Sequence, residues 1–164
     1  MCYNSNIGEW KMKYRDYKIG FTFEVPDYFS EVRESSYEVF EVDDDVLHYF
    51  IQLDDDGEVV RHLSFGAQGP VENDEEFKET VDQNIALMED VGYAILKRNT
   101  LRTDKGRTIE RCVVFDPDVD ANWGILVYYT VVKNKVISSS CLIKQYYDEF
   151  EEELYSIFDS IEEL

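Results

Sequence analysis

The sequence predicts an α+β domain, a mostly antiparallel sheet with two amphipathic helices on one of its faces. Three observations lead there. Short runs of alternating apolar and polar residues recur along the 164-residue chain, most of them joined by turns short enough for hairpins. Only two segments, 73–91 and 147–163, carry apolar residues at three- and four-residue steps. The composition, 44% hydrophobic and 15% aromatic, supplies a real core despite heavy charge. Two helices suffice to cover one face of such a sheet, which makes a layered fold. The length fits one domain, 1–164, with residues 1–9 expected to be disordered or loosely attached.

The elements follow in chain order. Runs 11–15 and 19–25 alternate around a short polar turn, and 37–42 is a third run, ended by Asp43, Asp44 and Asp45. Runs 46–53 and 59–65 flank the turn Asp54-Asp55-Asp56-Gly57-Glu58. Pairing Leu53 with Val59 sets Ile51 opposite Arg61, Tyr49 opposite Leu63 and Leu47 opposite Phe65. His48, Phe50, Gln52, Val60, His62 and Ser64 then share the other face. Asn73 and Glu76 have capping-box spacing, Phe77, Val81, Ile85, Met88 and Val91 form one helical stripe, and Gly92 is a natural stop. Hairpins 94–103/107–115 and 125–132/136–143 come next. The closing helix buries Phe150, Leu154, Ile157, Phe158 and Ile161, and Asp148, Glu149 and Glu151 suit its N-terminal dipole.

The opening Gly20-Phe21-Thr22-Phe23-Glu24-Val25-Pro26, with Tyr28-Phe29 just after, resembles the start of Mog1/PsbP-like domains. The element order and the ending Ile157-Phe158-Asp159-Ser160-Ile161 resemble that group too, so the likeness spans 17–161. The group includes photosystem accessory proteins, a Ran-binding protein, bacterial lipoproteins and secretion-effector chaperones. The resemblance implies a non-enzymatic binding role, names no partner, and maps no site residue by residue. Helices on opposite faces of the sheet would sink this reading.

Charge narrows the partners. Thirty-six acids against 16 bases leave a formal charge of −20. Nucleic acid is disfavoured, because its binding depends on Lys and Arg neutralising phosphates, and anionic membranes are disfavoured for the same reason. A protein partner, basic in the simplest case, stays open, as does a homodimer. Against this background the 97–111 segment stands out. It holds Lys97, Arg98, Arg102, Lys105, Arg107 and Arg111 against Asp104 and Glu110. This basic hairpin either docks an acidic partner or softens the repulsion of the protein's own acidic helices.

Three cysteines make no disulfide framework, and Cys112 and Cys141 sit in apolar runs as buried small hydrophobes. No apolar run is long enough to span a bilayer. A cytoplasmic location is expected, the alternative being a lipid anchor on Cys2 if a leader was removed.

Candidate chemistry is sparse. His48 and His62 are the only histidines, and no third metal ligand or nucleophile-elbow sequence accompanies them. The acidic turns 54–57 and 116–120 gather hard oxygen ligands, but the second has Ala121 and Val127 where a calcium loop needs glycine and a bidentate glutamate. No cofactor or dedicated metal is indicated. In the last hairpin, pairing Val132 with Val136 puts Tyr128, Thr130, Ser138 and Ser140 on one uncharged face, opposite the core side. Tyrosine among small hydroxyl residues suits a protein-binding surface. The reading is therefore a non-enzymatic protein-binding, adaptor or chaperone-like module. Its alternative is a small hydrolase or metal-dependent enzyme using the acidic loops and His48/His62, which would need a concave pocket with convergent ionisable groups.

Overall fold

The computed structural model describes residues 10–32, 46–116, 123–144 and 148–164. The expected third strand at 37–42, the 117–120 part of the second acidic turn, and residues 1–9 with Cys2 lie outside them.

Strands β1 (Lys11–Asp16), β2 (Phe21–Pro26), β3 (Ser30–Glu31), β4 (Val46–Leu53) and β5 (Val59–Gln68) lead into helix α1 (Asp74–Asp90). Strands β6 (Ala94–Arg102), β7 (Thr108–Phe115), β8 (Trp123–Val132) and β9 (Lys135–Lys144), helix α2 (Asp148–Asp159) and β10 (Glu162–Glu163) follow. Seven strands form one sheet in the order β3-β4-β5-β9-β8-β7-β6, and β1-β2-β10 form a second, small one. Among the described residues every pairing is antiparallel. Among the described residues no helix is long and apolar enough to cross a membrane.

Both helices begin and end for local reasons. Asn73 caps α1 by accepting from the Glu76 amide at 2.9 Å, while Glu76 reaches back to the Glu72 amide at 2.7 Å. Gly92, at φ 103°, reverses the chain after the helix, with the Tyr93 amide returning to the Met88 carbonyl. Helix α2 stops at Asp159, four residues before the sequence pattern suggests. The chain there turns to pair Glu162 with Thr22 and Glu163 with Phe21, so the last acids join a strand.

The expected placement of both helices on one face is overturned. Leu154, Ile157 and Phe158 of α2 share a core with Leu63, Phe65, Leu126 and Tyr128, and with Phe21 and Phe23 of the small sheet. Phe77, Val81 and Ile85 of α1 pack with Cys112, Val114, Val127 and Tyr129. Alternate strand residues point to opposite faces, so the two cores lie on the two sides of the large sheet. Burial explains why: β7 and β8 are apolar at consecutive positions, and each side needs its own cover. Cys112 and Cys141 are buried free thiols, as the apolar runs suggested, and burial pushes the Cys141 pKa up to about 12.

Two hairpin registers also differ from expectation, each by one residue. In β4–β5 the pair Leu53–Val59 holds, but a β-bulge follows, so Gln52 faces Arg61, Ile51 faces His62 and His48 faces Phe65. In β8–β9 the turn has two central residues, Lys133 and Asn134, both at positive φ (49° and 63°), and Val132 pairs with Lys135. A one-residue slip flips every side chain that follows it.

Candidate functional site

These slips dissolve two of the sequence-predicted sites. His48 and His62 now point to opposite faces of the sheet. On the α2 side, His48 Nε2 lies 3.1 Å from Asp16 Oδ1, and Nδ1 lies 3.5 Å from Glu31 Oε1. Asp16 also accepts from the Ile19 amide at 2.7 Å, so this trio ties the small sheet to the large one. On the α1 side, His62 Nδ1 meets the Tyr49 hydroxyl, and burial lowers the His62 pKa while pushing Tyr49 up to about 12. The shared histidine face on which the enzymatic alternative stood is therefore corrected.

The proposed open face around Tyr128 and Ser138 is corrected as well. Tyr128 and Thr130 are 1% exposed and lie in the α2-side core, where Tyr128 packs edge-on to Phe158. Ser138 faces Tyr129 and Ser140 faces Val127, on the α1 side. The four residues never form one surface.

The first acidic turn is organised by its own backbone. Asp54 Oδ1 accepts the amides of Asp56 and Glu58, each at 2.9 Å, so this carboxylate holds the turn together.

The basic hairpin survives and gains a shape. The structure sorts its six bases by role. Arg111 is buried on the α2 side, donating to Glu151 of α2 and, at 3.0 Å, to Asn99 Oδ1. Arg98 turns to the α1 side, 2.6 Å from Asp82 of the helix and 3.8 Å from the buried Glu110. These two arginines compensate acidic helices, one on each face. Lys97 and Arg102 are exposed along β6, the outermost strand of the large sheet, whose outer edge meets no described strand.

Lys105 and Arg107 stand at the hairpin tip. There the Thr103 amide donates to the Arg107 carbonyl at 2.8 Å, and Gly106, at φ 90°, closes the turn. Beneath the tip is a cleft of about 570 Å3, lined among others by Lys78, Thr100, Lys105, Arg107, Thr108 and Asp159. Neither histidine and no cysteine is among its lining residues. Arg107 is half-buried there. Its Nη1 donates to the Val131 carbonyl at 3.0 Å and its Nη2 to the Ile161 carbonyl at 3.3 Å, and burial pulls its pKa down. Sequence reasoning named Arg107 only as one of six charges. That it leaves the surface for a cleft has no local signature, because the carbonyls that hold it come from β8 and from beyond α2.

No protein-family model and no curated protein matches the chain. Solved structures do. Cyanobacterial PsbP (CyanoP) from Synechocystis sp. PCC 6803 matches with a TM-score of 0.65 at 14% identity, over 94% of this chain and 93% of that one. The Saccharomyces cerevisiae Ran-binding protein Mog1p matches with a TM-score of 0.61 at 14% identity, over 93% of this chain and 94% of that one. The chain has the Mog1/PsbP-like fold. Both likenesses run over nearly the whole chain, so the expectation that opposite-face helices would sink the resemblance is corrected. At such identity the Mog1/PsbP-like likeness concerns the fold, and the site must be argued from this chain's own residues.

Proposed function

We propose that this chain is a non-enzymatic protein-binding module that takes an extended acidic segment along the outer edge of β6. The observation that carries the reading is that edge. Strand β6 is nine residues long, closes the β6 side of the seven-stranded sheet, and offers exposed Lys97 and Arg102 on a protein of net charge −20. An unpaired edge presents a row of backbone donors and acceptors to which a further strand can add. The bulge between Ile95 and Lys97, and the bases themselves, are the devices that protect an edge from indiscriminate pairing. They admit a strand that brings negative charge and repel others. A second copy pairing through β6 would set bases against bases, which favours a foreign segment. The Mog1/PsbP-like likeness adds that one chain of this fold is a Ran-binding protein.

The test is a titration of the whole chain with an alternating Val-Glu peptide, read by amide hydrogen exchange. Protection should appear on β6, and the Lys97→Glu/Arg102→Glu variant should lose it. The control Lys11→Glu/Lys13→Glu, on exposed residues of β1, should keep it. Equal binding by both variants, or protection elsewhere, would overturn the reading.

A further inference from the structure

We infer that the cleft under the hairpin tip is a carboxylate-binding site, with Arg107 as its anchor. This inference is independent of the β6 edge.

Among the described residues, the other arginines drawn into the fold have carboxylate partners. Arg61 meets Glu153 at 2.6 Å, and Arg111 meets Glu151. Arg107 is half-buried, yet both of its hydrogen bonds go to backbone carbonyls. A guanidinium has five N–H donors, so three of its donors stay unmatched within the described structure. Asp159 and Glu163 act on it electrostatically, but they accept the Lys105 and Lys133 amides and leave those donors free for a ligand anion. The cleft that Arg107 lines also presents the Lys105 and Lys78 side chains and the exposed Thr108 hydroxyl.

The same walls choose the anion. Asp74, Asp159 and the buried Glu110 line the cleft as well, and Asp159 is fastened there by the Lys105 amide at 3.0 Å. A dianion such as phosphate would be repelled by all three. A carboxylate carries one charge and is planar, so it matches the guanidinium's paired donors at the least repulsion. The ligand is either a small free acid or a carboxylate of a peptide, and the chemistry is the same for both.

Amide and Arg Nε–Hε resonances of the full chain, followed by NMR during titration at constant ionic strength, test this with three probes. These are sodium acetate, an acetylated and amidated tripeptide containing one glutamate, and inorganic phosphate. Saturable shifts at Arg107 and Thr108 are expected with acetate or with the peptide, and whichever binds more tightly names the source. Phosphate should bind more weakly than either. Arg107→Gln should weaken carboxylate binding at least tenfold. Lys78→Glu, an exposed change that leaves the packing alone, should weaken it at least threefold, which keeps the test decisive if the first variant unfolds. Lys97→Glu, outside the cleft, should leave it unchanged. The inference is overturned if neither carboxylate saturates, if phosphate binds most tightly, or if Lys78→Glu titrates as the wild type does. Loss of peptide protection on β6 with an intact acetate response would break the edge reading alone.

Discussion

The two helices are both acidic and both amphipathic, yet they meet the sheet by different means. Helix α1 presents Phe77, Val81 and Ile85 to the sheet and sends Asp82 outward to a partly exposed Arg98. Helix α2 buries Leu154, Ile157 and Phe158, but it also turns Glu151 and Glu153 towards the sheet, where Arg111 and Arg61 receive them. Arg61 is 3% exposed, donates to Gln52 at 2.6 Å as well as to Glu153, and has the rings of Phe150, Phe29 and Tyr28 at 4.0, 4.8 and 5.2 Å. On the α1 side the helix itself contributes only apolar residues to the interior, and the buried Glu110 there is a sheet residue paired with Thr100 and Arg98. The α2 interface carries the helix's own charge inside it, where removing one partner leaves the other stranded in a poor solvent.

The sharpest way to break this contrast is Arg61→Ala. It strands Glu153 and removes the ring contacts, and should cost about 3–5 kcal/mol in urea unfolding. Arg61→Met combined with Glu153→Leu should recover most of that loss, because the desolvation penalty goes with the charges. A smaller effect is expected at the start of α1. Asn73→Ala removes the acceptor for the Glu76 amide and should cost about 1 kcal/mol by the same measurement. Smaller again is Asp82→Ala. Its carboxylate is 60% exposed, so its loss should cost under about 1 kcal/mol, and less at high salt.

The smallest expected effect is a pH difference that isolates the α1 side. Burial lowers the His62 pKa. A base whose folded pKa lies below its unfolded value binds fewer protons when folded. Its contribution therefore makes stability rise with pH up to the ordinary histidine range near about 6.5, and acidification through that window removes it. Melting curves at pH 7.5 and 5.5 should show a larger drop for the wild type than for His62→Asn. An equal drop would mean that His62 is as readily protonated folded as unfolded.

Most of the elements are legible in the sequence. Phe77, Val81 and Ile85 at helical spacing, the Asn73 cap and the Gly92 stop locate α1, because caps and periodicity are local properties. The basic hairpin was legible as charge. Its division of labour was not, since Arg98 and Arg111 differ only in the face to which they point. The binding face assigned to Tyr128, Thr130, Ser138 and Ser140 failed for two reasons: α2 covers the face that holds Tyr128 and Thr130, and the hairpin register puts Ser138 and Ser140 on the other. The register beyond a turn depends on whether its loop holds two residues or three, and Lys133-Asn134 adopts left-handed backbone without a glycine.

The sequence by itself determined an acidic, antiparallel α+β chain with two amphipathic helices, the positions of its turns, and one segment of opposite charge. Each of these depends on residues a few positions apart. Only the tertiary structure decided that the helices lie on opposite faces, that the histidines separate, and that Arg107 enters a cleft. A strand that is apolar on both sides does not say which helix will cover which. A bulge of one residue exchanges the faces of everything after it, and a guanidinium finds its carbonyls among segments far apart in the chain.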